Sequence, residues 1–128
     1  MSGVSPGNPY TRKQKGADGE RAALQYLSSQ GYRIIERNWR CRSGELDIIA
    51  EYGEVLVFIE VRSRSGSPLQ GTPEESVDER KIRQVRATAQ VYIHMKSEYE
   101  RRVSFDVVTV MLNEDRSIAS LHHIRDAF

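Results

Sequence analysis

The chain has one cysteine, Cys41, in 128 residues, so no disulfide can form within it. It also lacks any apolar run near the roughly 20 residues that a membrane-crossing helix needs, and no membrane contact is expected. The opening Met1-Ser2-Gly3-Val4-Ser5-Pro6-Gly7 carries no apolar segment of the secretory kind. Together with the lone cysteine, that makes the reducing cytoplasm the expected compartment. Charge of one sign is missing too. Lys and Arg total 19 against 18 Asp and Glu, a formal net charge of +1. Whole-chain charge therefore does not announce a nucleic-acid binder, and local distribution must decide.

What is present is ordinary globular material, 38% hydrophobic and 29% charged, with the length of one domain. Residues 1–15 have no apolar period and carry Arg12, Lys13 and Lys15, so they read as a flexible basic tail ahead of a single domain over 16–128. Ala22, Ala23, Leu24, Tyr26 and Leu27 recur at helical spacing and predict a helix from about Gly16 to Gln30, ended by Gly31. Three strands are expected next, near Tyr32–Trp39, Glu45–Glu51 and Val55–Arg62, with a hairpin turn at Tyr52-Gly53. Leu46-Asp47-Ile48-Ile49-Ala50 and Val55-Leu56-Val57-Phe58-Ile59 are nearly continuous in apolar residues, which suits strands covered on both faces. Ser63 to about Pro73 has turn chemistry and reads as a loop. A second helix ends near Lys96, with Ile82, Val85, Ala89, Tyr92 and Ile93 as its stripe. Its start falls between Thr72 and Glu79, because Thr72 with Glu75 and Ser76 with Glu79 both fit a capping box. Strands near Val103–Met111 and Ser117–Ile124 complete the order αβββα followed by two strands, an α/β class with helices flanking a sheet.

The chemistry concentrates on two of these strands. Side chains alternate along a strand, so Glu45, Asp47 and Ile49 share one face, as do Phe58, Glu60 and Arg62 on the next strand. A hairpin register can bring Asp47 and Glu60 together. Buried carboxylates must be paired, metal-bound or neutralised. A Mg²⁺ ion would satisfy them, lower the pKa of a bound water and stabilise a phosphoryl group under attack. The plainer alternative is an ion pair with Arg62 or Arg64 in a partly exposed sheet. Glu20 favours the metal, since a step of about 100° per residue places it between Leu24 and Leu27 on the apolar stripe of the first helix. Its alternative is a carboxylate favoured by the dipole of the first helical turn.

Several ordered motifs then coincide: Gly19-Glu20-x-x-Ala23-x-x-Tyr26-Leu27, Gly31-Tyr32, Arg37-Asn38-x-Arg40, Gly44-Glu45-Leu46-Asp47-Ile48-Ile49-Ala50 and Leu56-Val57-Phe58-Ile59-Glu60-Val61. They continue through Lys81, Ala89 and Tyr92, Phe105-Asp106-Val107-Val108 and His123-Ile124-x-x-Ala127-Phe128. In this order the chain resembles the YraN family, small bacterial proteins described as candidate endonucleases or left uncharacterised. That family in turn resembles the archaeal Holliday-junction resolvases and the restriction-endonuclease-like superfamily, whose site is an Asp, then Glu-x-Lys on the next strand, with a helical Glu upstream. The resemblance implies a restriction-endonuclease-like αβββαβ core with a central mixed sheet, and metal-dependent cleavage of structured or branched DNA. It implies Glu20, Asp47 and Glu60 as ligands of Mg²⁺ or Mn²⁺, with the Val61 carbonyl as a further ligand. A homodimer follows only by analogy with the resolvases.

Arg62 stands where that pattern has lysine. Arginine stays protonated and cannot act as a base, but it can hold a phosphate through two parallel hydrogen bonds. A protein of this fold that binds nucleic acid without turnover is therefore the competing expectation. Lys81, at the edge of the second helix's stripe, is the candidate for a displaced lysine, or else a solvated side chain. Arg40, Arg42 and Arg64 are the candidates for phosphate contacts around the acids. Arg80, Arg83 and Arg86 read as a solvated face paired with Glu74, Glu75 and Glu79. Trp39 and Tyr32 suit either base stacking or core packing.

Overall fold

The computed structural model describes residues 9–65 and 78–128. Helix α1 (Arg12–Ser29) leads into strands β1 (Arg33–Cys41), β2 (Gly44–Tyr52) and β3 (Val55–Ser65); α2 (Glu79–Met95) precedes β4 (Arg102–Leu112) and β5 (Ile118–Ile124). The element order matches the expectation, giving an α/β domain with one five-stranded mixed sheet and two helices. The strands lie side by side in chain order, β1-β2-β3-β4-β5. Neighbours are antiparallel except β3 and β4, whose parallel pairing requires a crossover, and α2 lies in that connection.

The two helices cover opposite faces. Ala23 and Leu27 of α1 pack with Ile48, Ala50, Val57, Ile59, Val108 and Val110. Val85, Ala89, Tyr92 and Ile93 of α2 pack with Ile49, Leu56, Phe58 and Phe105. Residues 56 to 59 therefore alternate between the two cores, which is why β2 and β3 read as continuously apolar. No helix among the described residues is long and apolar enough to cross a membrane.

Three boundaries differ from expectation, the start of α1 and the ends of β1 and β3, while α2 begins at the end of its expected window. The first helix begins at Arg12, so residues 12–15 of the expected tail are helical; residues 1–8 lie outside the described part. Thr11 supplies the reason: its hydroxyl accepts from the Gln14 N–H at 3.1 Å while the Gln14 side chain accepts from the Thr11 N–H at 2.9 Å. β1 runs on to Cys41, held in register by β2 from Arg33↔Glu51 to Cys41↔Gly44. β3 continues to Ser65 rather than yielding to a loop at Ser63, because Ser63, Arg64 and Ser65 pair with Val110, Met111 and Leu112; the rest of that expected loop falls among undescribed residues. Helix α2 is capped by Asp78, whose side chain accepts from the Lys81 N–H at 2.8 Å. The expected caps Thr72 and Ser76 lie outside the described residues. At the other end of α1 the expectation holds, with Gly31 at φ +93 turning the chain out of the helix.

Candidate functional site

The site forms where β2 and β3 part. Their cross-strand pairing runs from Tyr52↔Val55 to Ile48↔Ile59 and goes no further. Leu46 packs under α2 while Ile48 packs under α1, so β2 breaks its alternation at Asp47. Freed from the ladder, the Asp47 carboxylate accepts the Val61 N–H at 2.9 Å. Asp47 consequently faces an open cavity beside α1, whereas Ile49 lies under α2. The expected common face for Glu45, Asp47 and Ile49 is thus corrected: Glu45 and Asp47 line the cavity, and Ile49 does not.

Glu60 follows Phe58 toward the α2 side and is 2% exposed. Its Oε1 lies 3.5 Å from Lys81 Nζ and 3.6 Å from Arg62 Nη2. Neither is a hydrogen bond, and Oε1 is the buried side-chain polar atom left without one among the described residues. Burial, reinforced by the Asp47 charge, pushes the Glu60 carboxyl up to about 7, while Lys81 and Arg62 pull against it. Burial likewise raises Asp47, opposed by the Val61 N–H, Arg62 and Lys81 and assisted by the Glu20 charge. At the parting of the strands the Asp47 charge thus resists ionisation of Glu60, while burial and the Glu20 charge resist that of Asp47.

Glu20 reaches the same cavity from α1 but is already engaged, accepting from Asn38 Nδ2 at 3.0 Å and Arg37 Nη2 at 3.3 Å. Gly19 seats that helix: a Cβ there would stand 1.7 Å from Ser63 Oγ. The Val61 carbonyl meets the Arg62 guanidinium at 3.5 Å. Among the described residues no three His, Cys, Asp or Glu side chains are grouped to hold an ion by themselves. What the site offers is an oxygen-only set: two coupled carboxylates, a backbone carbonyl, and Glu20 across the cavity. A hard divalent cation can use one or two carboxylates and complete its shell with waters. The orphaned Glu60 Oε1 fits such a donor role.

The cavity, about 670 Å³, is lined by Glu20, Asp47, Val61, Arg62 and Arg64, with Arg12, Lys13 and Lys15 from the first turn of α1. Those last three fall within the stretch expected as a tail; the Thr11-x-x-Gln14 box is the local signal for their helix. Arg40 is bound to Glu45 through Nε at 2.7 Å, and Arg42 is exposed between β1 and β2; neither lines the cavity. Trp39 packs edge-on against Tyr92 with ring centres 5.2 Å apart, and Tyr32 stacks on Tyr52 at 4.4 Å. Both rings thus take the packing role.

These features define a mixed α/β domain with a carboxylate-bearing cleft at the parting of two central strands. The model of the uncharacterised protein family UPF0102 matches residues 19–110. A UPF0102 protein of Moorella thermoacetica is 47% identical over 92% of this chain and 98% of its own length. Relatives of the same description in Persephonella marina and Rhodococcus opacus are each 44% identical, over 89% and 88% of this chain and 92% and 94% of theirs. The chain belongs to the UPF0102 family, the YraN-type family whose motif order it resembles.

Proposed function

We propose that this protein is a metal-dependent endonuclease of restriction-endonuclease-like type, hydrolysing phosphodiester bonds in structured or branched DNA with Mg²⁺ or Mn²⁺. The observation that carries the reading is the Glu60 Oε1 atom, buried without a hydrogen bond behind the raised Asp47, which itself lines a cleft with basic walls. Asp47, Glu60 and the Val61 carbonyl would hold the cation, with Glu20 lining the same cavity. Bound there, the cation supplies an acidified water and neutralises charge on the phosphoryl group. Arg62, half-buried at the cavity wall, grips a phosphate oxygen and offsets developing negative charge. Lys81, within 3.5 Å of Glu60 from the first turn of α2, takes the position of the displaced lysine and orients the attacking water.

The test is incubation with Mg²⁺ or Mn²⁺ and a panel of duplex, flap and four-way DNAs. Asp47→Ala and Glu60→Gln are each expected to lower cleavage by at least a hundredfold, the scale of losing one group that stabilises the transition state. Cleavage that survives Asp47→Ala overturns the assignment. Arg62 supports a second reading, binding without turnover, because a guanidinium cannot exchange a proton with the attacking water. That reading expects salt-sensitive binding with no product under any metal, and product restored by Arg62→Lys.

A further inference from the structure

The first turn of α1 puts three cations at the cavity wall. Arg12 and Lys13 are exposed, Lys15 is half-buried, and all three line the cavity that contains Asp47. Arg62 and Arg64 line its other wall at the end of β3. The acids in the same lining do not offset this charge. Glu20 is paired with Arg37, and Glu45 with Arg40, both partners lying outside the lining. Among the described residues no carboxylate pairs with Arg12, Lys13, Lys15 or Arg64. Among the described residues of the lining, four unpaired cations, with Arg62 shared with Glu60, therefore face one carboxylate without an ion-pair partner, Asp47, in a chain whose total charge is +1.

The turn that carries the first three is built as a rigid element. Its cap is the reciprocal Thr11–Gln14 pair. Below it, buried Asp18 accepts from the Tyr10 hydroxyl at 2.5 Å and from Arg116 at 2.9 and 3.1 Å. Arg116, from the turn between β4 and β5, also lies 5.3 Å from the Tyr10 ring centre, and Lys15 Nζ stands 5.6 Å from the same ring. An ordinary solvated turn needs no such anchorage. Anchoring the backbone that bears these cations spares a ligand the cost of ordering the turn itself.

We infer that the first turn of α1 and the end of β3 form a two-walled clamp for the sugar–phosphate backbone of the strand adjoining the acidic site. This rests on the nucleic-acid reading of that site and adds where the strand runs. From Arg12 to Lys15 the helix advances about 4.5 Å, so its cations span little more than one nucleotide step of about 3.4 Å, and the end of β3 faces them from the other wall. The lining is charged and carries no aromatic side chain, so recognition is of phosphate and independent of base sequence.

The experiment measures binding of the full chain to fluorescein-labelled duplex and single-stranded DNA, and to RNA of the same sequence, across a salt series without divalent metal. Replacing Arg12, Lys13 and Lys15 together by Gln leaves Thr11, Gln14 and Tyr10 in place. It is expected to reduce the slope of log affinity against log salt by about 2 to 3, and Arg64→Gln by about 1. Equal losses on DNA and RNA assign the clamp to phosphate alone; a loss confined to one assigns it to that backbone. Thermal melts and Mn²⁺ titration of the triple variant check that the fold and acidic site persist. An unchanged slope in the folded triple variant overturns the clamp, even if the protein cuts DNA. A reduced slope with no cleavage under any metal upholds the clamp and overturns the nuclease.

Discussion

Glu60 is the residue whose ionisation matters most to the isolated protein. Its carboxyl is raised from 4.5 to about 7 by burial and then by Asp47. The folded chain therefore binds this proton more tightly than the unfolded chain does. Stability from this group is greatest below about 4.5, falls as pH rises, and levels off above about 7. Glu60→Gln removes the titration while keeping the shape. The metal-free variant is expected to be more stable than the natural protein at pH 8 and indistinguishable from it near pH 4. Urea unfolding at a series of pH values measures this. Saturating Mn²⁺ should flatten the natural protein's pH dependence and leave the variant's unchanged. A parallel pH dependence in both proteins would show that Lys81 and Arg62 already satisfy the carboxylate.

The seat of α1 on β3 decides whether Glu20 and the basic turn reach the cleft at all. Gly19 allows the contact, since an added methyl would meet Ser63 Oγ at 1.7 Å and Ser63 Cβ at 2.8 Å. Rotating the Ser63 hydroxyl relieves the first clash but cannot move the second. Alanine improves helix propensity by about 1 kcal/mol, while overpacking costs about 1–3 kcal/mol. Gly19→Ala should therefore lose up to about 2 kcal/mol, and adding Ser63→Gly should recover most of it. A chemical-denaturation cycle over the four proteins checks the coupling, and additive effects would refute it. The same contact shows why some elements were legible in sequence and others were not. β2, β3 and both helical stripes rest on local apolar period, and Asp47 and Glu60 stand out against it. Ser63–Ser65 look like a turn because their strand character comes from β4, about 47 residues on. Arg12–Lys15 look like a tail because Arg116, which anchors the turn through Asp18, is more remote still, 98 residues beyond Asp18. Asp47 facing the cavity depends on a break in strand alternation, which no local pattern announces.

Across the whole molecule, a buried polar chain ties the face under α1 to the last two strands. Asp106 on β4 meets His123 Nε2 at 2.7 Å, and His123 Nδ1 meets the Tyr26 hydroxyl of α1 at 3.0 Å. The other Asp106 oxygen accepts from Ser104 at 2.6 Å and from the Asp126 N–H at 3.2 Å. Both ionisable side chains are almost fully enclosed, 4% exposed for His123 and 2% for Asp106. Burial alone would raise Asp106, but His123, Ser104 and the Asp126 N–H outweigh it and hold the carboxyl below its ordinary 3.8. A depressed carboxylate contributes stability above about 3.8 that is lost as pH falls through the lower folded value. His123→Ala leaves Asp106 short of one partner in a dry setting and should cost about 3 kcal/mol at pH 7. It should also weaken the acid limb of the stability curve, because less of the depression remains. The strand register sets Asp106 opposite Ile59, next to Glu60, yet its hydrogen-bond partners are His123, Ser104 and the Asp126 N–H, none of them a member of the acidic site. The variant, assayed well below its melting temperature, is therefore expected to keep its Mn²⁺ affinity while losing stability. Loss of metal binding in a protein that still melts cooperatively would instead mean that the Asp106–His123 pair and the acidic site act as one unit.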